Sequence, residues 1–221
     1  MKTFALAAAG AAMLFAGAAQ SADQVEYQIA FQSSWTAQSH PLDYPSNAHH
    51  SGIVGTAHNH GYSLFADAAT ATPGLEALAE RGAHSPLDAE INQAIAKGAA
   101  IALFESGPLF GPPGTLTATF TTDDAHPFVS AVAMIAPSPD WFTGIDNLPL
   151  KHDDEWVETV TVTLFAWDAG TDSGTTYADA DADTMPRQNV RLVAGQHFFD
   201  DGGLKPVGTA TVTRLHKQAS N

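Results

Sequence analysis

The strongest constraint on the fold is an alternation of apolar and polar residues that recurs in short runs along the chain. The run Thr115–Thr121 alternates without a break and places Leu116, Ala118 and Phe120 on one face. A period of two residues is typical of a β-strand with one buried and one exposed face. Comparable runs predict further strands at Val25–Phe31, Trp156–Trp167 and Val207–Leu215.

Other patterns complete the fold prediction. Phe128–Ala136 is apolar almost throughout, as expected of a central strand that is covered on both faces. Helical spacing with helix start and stop residues predicts short helices at Pro73–Arg81 and Ser85–Lys97. Ser33–Gly61 has no sustained period, which predicts a long structured loop. Because strands dominate and the helices are adjacent, the predicted class is an all-β sandwich with a short helical insertion.

Acidic residues greatly outnumber basic ones. The 221 residues include 24 Asp and Glu against 9 Lys and Arg, which gives a formal net charge of −15. Such a surface repels phosphate backbones and anionic headgroups, so we expect no nucleic acid partner and disfavour anionic membrane surfaces. Divalent cations are attracted by the same charge. A hydrophobic content of 44% is enough to fill a core.

The first residues have the features of a secretory signal peptide. Lys2 supplies a positive charge, Phe4–Ala19 is apolar, and small residues follow. We predict a signal peptide at residues 1–22 and one mature domain at residues 23–221. This domain is expected to be secreted, periplasmic or at the cell surface, without membrane insertion after signal removal. The chain has no cysteine, which excludes disulfides, thiolate metal sites and thiol catalysis.

Three aspartates are the main candidates for a binding site. Asp140 lies in SPDW, and Asp168 and Asp172 lie four residues apart in WDAGTDSG. Calcium takes about six to eight oxygen ligands, usually carboxylates, backbone carbonyls and water. A loop with glycines at positions 170 and 174 can turn both of its carboxylates toward one centre. We therefore expect a Ca²⁺ site at these three aspartates.

The topology decides whether the three aspartates can meet. If Phe128–Ala136 paired directly with Trp156–Trp167, Asp140 and Asp168 would lie roughly 40 Å apart, at opposite ends of about twelve residues of strand. A single ion cannot bridge that distance. The calcium site therefore requires residues 141–150 to run back along the sheet as a separate strand, which brings Asp140 and Asp168 to the same end.

Five segments carry a resemblance to a known family. In chain order they are SHPLDYP, SGIVGTAHNHGYSLF, PGLEALAERG, PSPDWFTGID and FAWDAGTDSGTTY. Together they resemble the spondin N-terminal domain, the F-spondin and mindin family, over nearly the whole mature chain. The resemblance implies a C2-like antiparallel β-sandwich, found in extracellular matrix and adhesion proteins, with calcium bound at Asp140, Asp168 and Asp172. Animal members have disulfides, which this chain lacks, so their partners are not carried over.

A histidine cluster offers an alternative metal site. His49, His50, His58 and His60 fall within AHHSGIVGTAHNH. A His-X-His pair on a strand points both rings to one face, as in some copper and zinc sites. Glycine and asparagine neighbours favour a loop instead, and the family resemblance implies a structural role for His58. We expect structural histidines and keep copper or zinc binding as the alternative.

Catalysis has little support in the sequence. There is no nucleophile-elbow, zinc-protease or phosphate-loop motif. Asp140 and Asp168 could form a glycosidase pair, but a cation that holds them ionised explains clustered aspartates better. A sugar-stacking platform, typical of a carbohydrate-binding module, could be built from Trp35, Trp141, Trp156 and Trp167. The predicted function is a non-enzymatic calcium-binding module that presents a surface to an unknown extracellular protein or glycan.

Overall fold

The computed structural model describes residues 24–216, so the predicted signal peptide at residues 1–22 lies outside the described residues. In the first half of the chain the elements are β1 (Val25–Ser33), β2 (His49–His50), β3 (Val54–His58), α1 (Pro73–Arg81), α2 (Leu87–Ala96), β4 (Ala100–Glu105), β5 (Leu109–Phe110) and β6 (Gly114–Thr122). In the second half they are β7 (Phe128–Ala136), β8 (Trp141–Pro149), β9 (Lys151–His152), β10 (Glu155–Trp156), β11 (Thr159–Leu164), β12 (Ala166–Asp168), β13 (Arg191–Leu192), β14 (Phe199–Asp200), β15 (Gly203–Leu204) and β16 (Gly208–Leu215).

One layer of the sandwich is an antiparallel sheet of four strands in the order β11–β16–β1–β6. The alternating residues Tyr27, Ile29 and Phe31 of β1 are buried in the core between the layers. The outer face carries polar residues such as Thr161 and Thr211, whose hydroxyl oxygens lie 2.9 Å apart across neighbouring strands. The period-two pattern of the sequence therefore corresponds to one buried and one solvent-facing side.

The other layer is built around β7. Its strands follow the order β13–β12–β8–β7–β2–β5, and β3 pairs with both β7 and β4. On one face of β7, Val129 and Ala131 join the core shared with the four-stranded sheet. On the other face, Val132 and Met134 pack in a second cluster that includes Leu78 of α1. The continuous apolar run is therefore covered on both faces, as predicted, and the all-β sandwich with a helical insertion is confirmed.

The return strand required by the calcium hypothesis is present. β8 pairs antiparallel with β7, with Phe142 opposite Met134. β8 also pairs antiparallel with β12, with Trp141 opposite Asp168. Asp140 precedes β8 and Asp168 ends β12, so both residues lie at the same end of this sheet.

Two parts of the chain differ from the sequence prediction. Ser33–Gly61 is not one long loop, because it contains β2 and β3. Every residue of β3 is buried, so this strand shows no alternation. Trp156–Trp167 is not one strand but falls into three, which belong to different sheets. Trp156 ends β10, which pairs with β9; β11 belongs to the four-stranded sheet; and β12 belongs to the sheet built around β7. Over residues 24–216, neither helix has the length and apolar character needed to cross a membrane.

Candidate metal centre

The three aspartates converge at the end of the sandwich where β7 turns into β8. Asp140 lies in that turn, Asp168 is the last residue of β12, and Asp172 lies in the loop that follows. They are largely removed from solvent, with exposed fractions of 0%, 9% and 5%. The backbone N–H of Asp172 donates a 3.1 Å hydrogen bond to Oδ2 of Asp140, which joins the two loops directly. The structure therefore brings together the residues that the sequence nominated.

Asp140 has an incomplete set of hydrogen bonds. Its Oδ2 atom accepts from the backbone N–H groups of Thr171, at 2.7 Å, and Asp172. Its Oδ1 atom is buried and has no hydrogen-bond partner. Burial raises the pKa of Asp140 to about 6, and the negative charge of Asp168 acts in the same direction. A buried carboxylate with a free oxygen is costly unless a cation or further donors compensate it.

Asp168 is paired on both oxygens. Its Oδ1 atom accepts a 2.8 Å hydrogen bond from the backbone N–H of Gly170, which closes a tight turn. Its Oδ2 atom lies 2.8 Å from Nη2 of Arg191. Burial raises the pKa of Asp168, and the positive charge of Arg191 opposes that effect. Arg191 is thus part of the charge balance of the cluster.

Asp172 organises the loop that carries it. Its Oδ1 atom accepts a 2.6 Å hydrogen bond from the backbone N–H of Gly174, and its Oδ2 atom accepts one of 2.8 Å from Ala182. A β-carbon at position 174 would lie 2.6 Å from Cγ of Pro139, so the close approach of the two loops requires glycine there. Each oxygen of Asp172 retains a lone pair beyond these bonds.

The donor set fits a hard divalent cation. Three carboxylates supply oxygen ligands of the type that calcium prefers, and the unpartnered Oδ1 of Asp140 is among them. Asp168 and Asp172 also line a cleft of about 410 Å³ that offers access for the ion and its water ligands. As the structure stands, no group of three or more His, Asp or Glu side chains in residues 24–216 is arranged to hold a metal ion. Binding of one ion by all three aspartates would require local adjustment of their side chains.

The four histidines do not form one site. His49 pairs with Ala136 at one end of β7, whereas His58 pairs with Phe128 at the other end. About eight residue steps of strand place these ends roughly 26 Å apart, which is too far for one metal ion.

The two buried histidines have structural partners. The ring of His50 lies between Ser33 Oγ, at 2.8 Å, and the carbonyl oxygen of Met134, at 3.1 Å. Nε2 of His58 lies 2.7 Å from Ser130 Oγ, and its Nδ1 lies 2.9 Å from the carbonyl oxygen of Asn59. Both ring nitrogens are occupied in each case. These contacts explain why polar rings can be buried here.

The four tryptophans do not form an exposed row. Trp35 and Trp141 are buried in the main core. Trp156 packs against that core beneath Lys151, whose Nζ lies 5.0 Å from the ring centre. Trp167 is partly buried in the second cluster. Their rings serve packing, so the platform that a sugar-binding module would need is not formed by these residues.

Two residues of the site were not identified from the sequence. Thr171 donates its N–H to Asp140 across 31 positions, and Arg191 reaches Asp168 across 23. Neither contact has a local signature, because Thr171 is an ordinary loop residue and Arg191 lies on a strand of two residues. Residues 170–196 are rich in Asp and show no periodic pattern, so the sequence does not indicate that Thr171 and Arg191 contact the aspartates.

These features define an antiparallel β-sandwich with a buried acidic cluster between the loops at one end. The Spondin_N family model matches residues 25–201, and the chain belongs to this family. The chain is 31% identical over 206 residues to Spondin-1 of Rattus norvegicus, covering 87% of this chain and 26% of that protein. It is 33% identical over 208 residues to Spondin-2 of Homo sapiens, covering 87% and 62%. The chain therefore spans less than two thirds of the length of either relative.

Proposed function

We propose that the chain is an extracellular module without catalytic activity that binds one Ca²⁺ ion at Asp140, Asp168 and Asp172. The observation that carries the proposal is the buried Oδ1 of Asp140, which has no hydrogen-bond partner. This oxygen belongs to a carboxyl group that experiences the negative charges of Asp168 and Asp172. Three buried carboxylates in electrostatic contact favour a bound cation.

The proposed role of the ion is to order one end of the sandwich. Calcium would supply the positive charge that offsets repulsion among the carboxylates. Asp140 accepts hydrogen bonds from the backbone N–H groups of Thr171 and Asp172. Asp172 accepts hydrogen bonds from those of Gly174 and Ala182. Fixing these carboxylates therefore fixes the loop from residue 169 to residue 182. The ordered end would present a surface to an extracellular protein or glycan.

The extracellular location and the adhesion role rest on two supports. The first is the predicted signal peptide at residues 1–22. The second is membership of the spondin N-terminal family. Because the chain covers 26% of Spondin-1 and 62% of Spondin-2, the activities of those longer proteins reach this chain only as proposals.

Calorimetric titration with CaCl₂ after chelator treatment tests the calcium proposal, together with thermal melts of both forms. We expect one-to-one binding and a higher Tm with calcium. Asp168→Asn and Asp172→Asn should each weaken binding by at least about tenfold, because each removes an anionic ligand. Asp181→Asn is the matched control, since this exposed aspartate lies on the same loop. Absence of binding by the unmodified chain, or unchanged affinity in both ligand variants, would refute the proposal.

A further inference from the structure

Arg191 is a basic side chain in direct contact with the aspartate cluster. It lies on β13, where it pairs in register with Asp168 of β12. Its Nη2 atom lies 2.8 Å from Oδ2 of Asp168, and its Nη1 atom donates to Oε1 of Gln188. One hydrogen bond therefore joins the guanidinium to the cluster, and the bond to Gln188 fixes its orientation. The Asp168 side chain is 12% exposed and that of Arg191 is 48% exposed, so this ion pair is partly shielded from solvent.

This ion pair offsets part of the charge that would otherwise be buried. The negative charges of Asp168 and Asp172 act on Asp140, and that of Asp172 also acts on Asp168. A guanidinium beside Asp168 lowers the repulsion among these carboxylates. The same guanidinium repels a metal ion that approaches Asp168. It also occupies a lone pair of Oδ2 of Asp168, which a metal ion would need as a ligand.

We propose that Arg191 is a built-in counter-ion that pairs with Asp168 in the metal-free protein and thereby lowers the affinity of the cluster for calcium. This inference rests on the proposed calcium site and adds the residue that sets its affinity. Arg191 and Asp168 both line the cleft of about 410 Å³, so the guanidinium has space to move away when a cation binds.

Arg191→Gln should change both the calcium affinity and the thermal stability of the protein. The calcium affinity should rise by about tenfold, because a unit charge a few ångströms from the ion is removed. The metal-free protein should melt at a lower temperature, because the carboxylates then lack their counter-ion. The gain in Tm on adding calcium should therefore be larger than in the unmodified chain. Arg191→Lys keeps the charge but loses the two-point geometry, so its affinity should lie between the two.

The experiment is calorimetric titration with CaCl₂, paired with thermal melts with and without calcium. Arg187→Gln is the control, because it removes one positive charge from the same segment but breaks a pair with Glu76 instead. An affinity in Arg191→Gln that equals or falls below that of the unmodified chain would overturn the inference. An equal gain in Arg187→Gln would overturn it as well, by showing a general charge effect. If neither the unmodified chain nor Arg191→Gln binds calcium, the proposed function itself fails, and this pattern is distinct from the other two.

Discussion

The backbone N–H of Thr171 donates a 2.7 Å hydrogen bond to Oδ2 of Asp140, across 31 positions of the chain. Asp140 thus connects the turn between β7 and β8 to the loop after β12. Since the Oδ1 atom of the same carboxyl group has no hydrogen-bond partner, Asp140 has one structural oxygen and one oxygen available to a cation. Substitutions at this position can separate the two roles.

Asp140→Asn should abolish the calcium response without lowering metal-free stability. An asparagine carbonyl oxygen can still accept the N–H of Thr171, while the buried negative charge beside Asp168 disappears. We expect the metal-free Tm at pH 8 to equal or exceed that of the unmodified chain, with no increase on adding calcium. Asp140→Ala should instead lower the metal-free Tm, since two backbone N–H groups lose their acceptor. A normal calcium response in Asp140→Asn would contradict this assignment.

Asp146→Ala should destabilise the protein at a position on β8 away from the aspartate cluster. Oδ1 of Asp146 accepts a 2.8 Å hydrogen bond from the N–H of Leu64 and a 2.7 Å bond from Ser130 Oγ. Loss of these bonds to a charged acceptor should cost about 2 kcal/mol or more in the free energy of unfolding. Urea denaturation measures the difference. Asp67→Ala, at an exposed position three residues after Leu64, should be close to neutral. Equal costs in both variants would argue against this role for Asp146.

The elements that were predicted correctly are those with a local pattern. The alternation of Thr115–Thr121 and the apolar run of Phe128–Ala136 each fall within a strand of the structure. The calcium hypothesis also predicted the return strand β8, because Asp140 and Asp168 could not otherwise meet. That prediction came mainly from chain geometry, and the apolar residues Trp141, Phe142 and Ile145 are compatible with it.

The parts that were missed depend on contacts between distant residues. β3 is buried on both faces and ends in His58. The buried ring of His58 forms a hydrogen bond with Ser130, which lies 72 positions away in the chain. Arg191 contacts the aspartate cluster only because β13 pairs with β12. Hydrogen-bond partners that are this far apart in the chain leave no periodic signal in the sequence, so they emerge only from the folded structure.

The contribution of His50 to stability should fall as the pH decreases from about 6.5. Burial lowers the pKa of His50 to about 4. Its Nδ1 faces a carbonyl oxygen, so the neutral ring carries its proton there and accepts from Ser33. The His50 ring is protonated near pH 6.5 in the unfolded chain and only near pH 4 in the folded chain. The stability contributed by His50 is therefore complete above pH 6.5 and is lost as the pH falls toward 4.

The loss attributable to His50 should reach about 2 kcal/mol at pH 5. Urea denaturation at pH 7 and pH 5 measures it, and His50→Gln should show a smaller difference between the two pH values, because glutamine does not titrate. His40 has the same direction of pKa shift, to about 4, and remains in both proteins, so it cancels in the comparison. An identical pH dependence in the two proteins would mean that His50 does not titrate as described.

A pair of glycine substitutions tests how tightly the aspartate loop is packed. Gly170 and Gly98 have similar left-handed backbones, with φ of 73° and 71°. A β-carbon at position 98 would meet no heavy atom within 4 Å, whereas one at position 170 would lie 2.4 Å from the carbonyl oxygen of Gln188. Gly98→Ala should therefore cost only the backbone strain, about 1 kcal/mol.

Gly170→Ala should cost clearly more, about 2 to 4 kcal/mol, because backbone atoms of the loop must also move apart. The same displacement shifts Asp168 and Asp172 relative to each other, so Gly170→Ala should also weaken calcium binding while Gly98→Ala leaves it unchanged. Urea denaturation and calcium titration of the two variants provide the comparison. Equal costs at the two positions would show that the loop around Gly170 yields easily, and that the aspartates are not held by the close contact between Gly170 and Gln188.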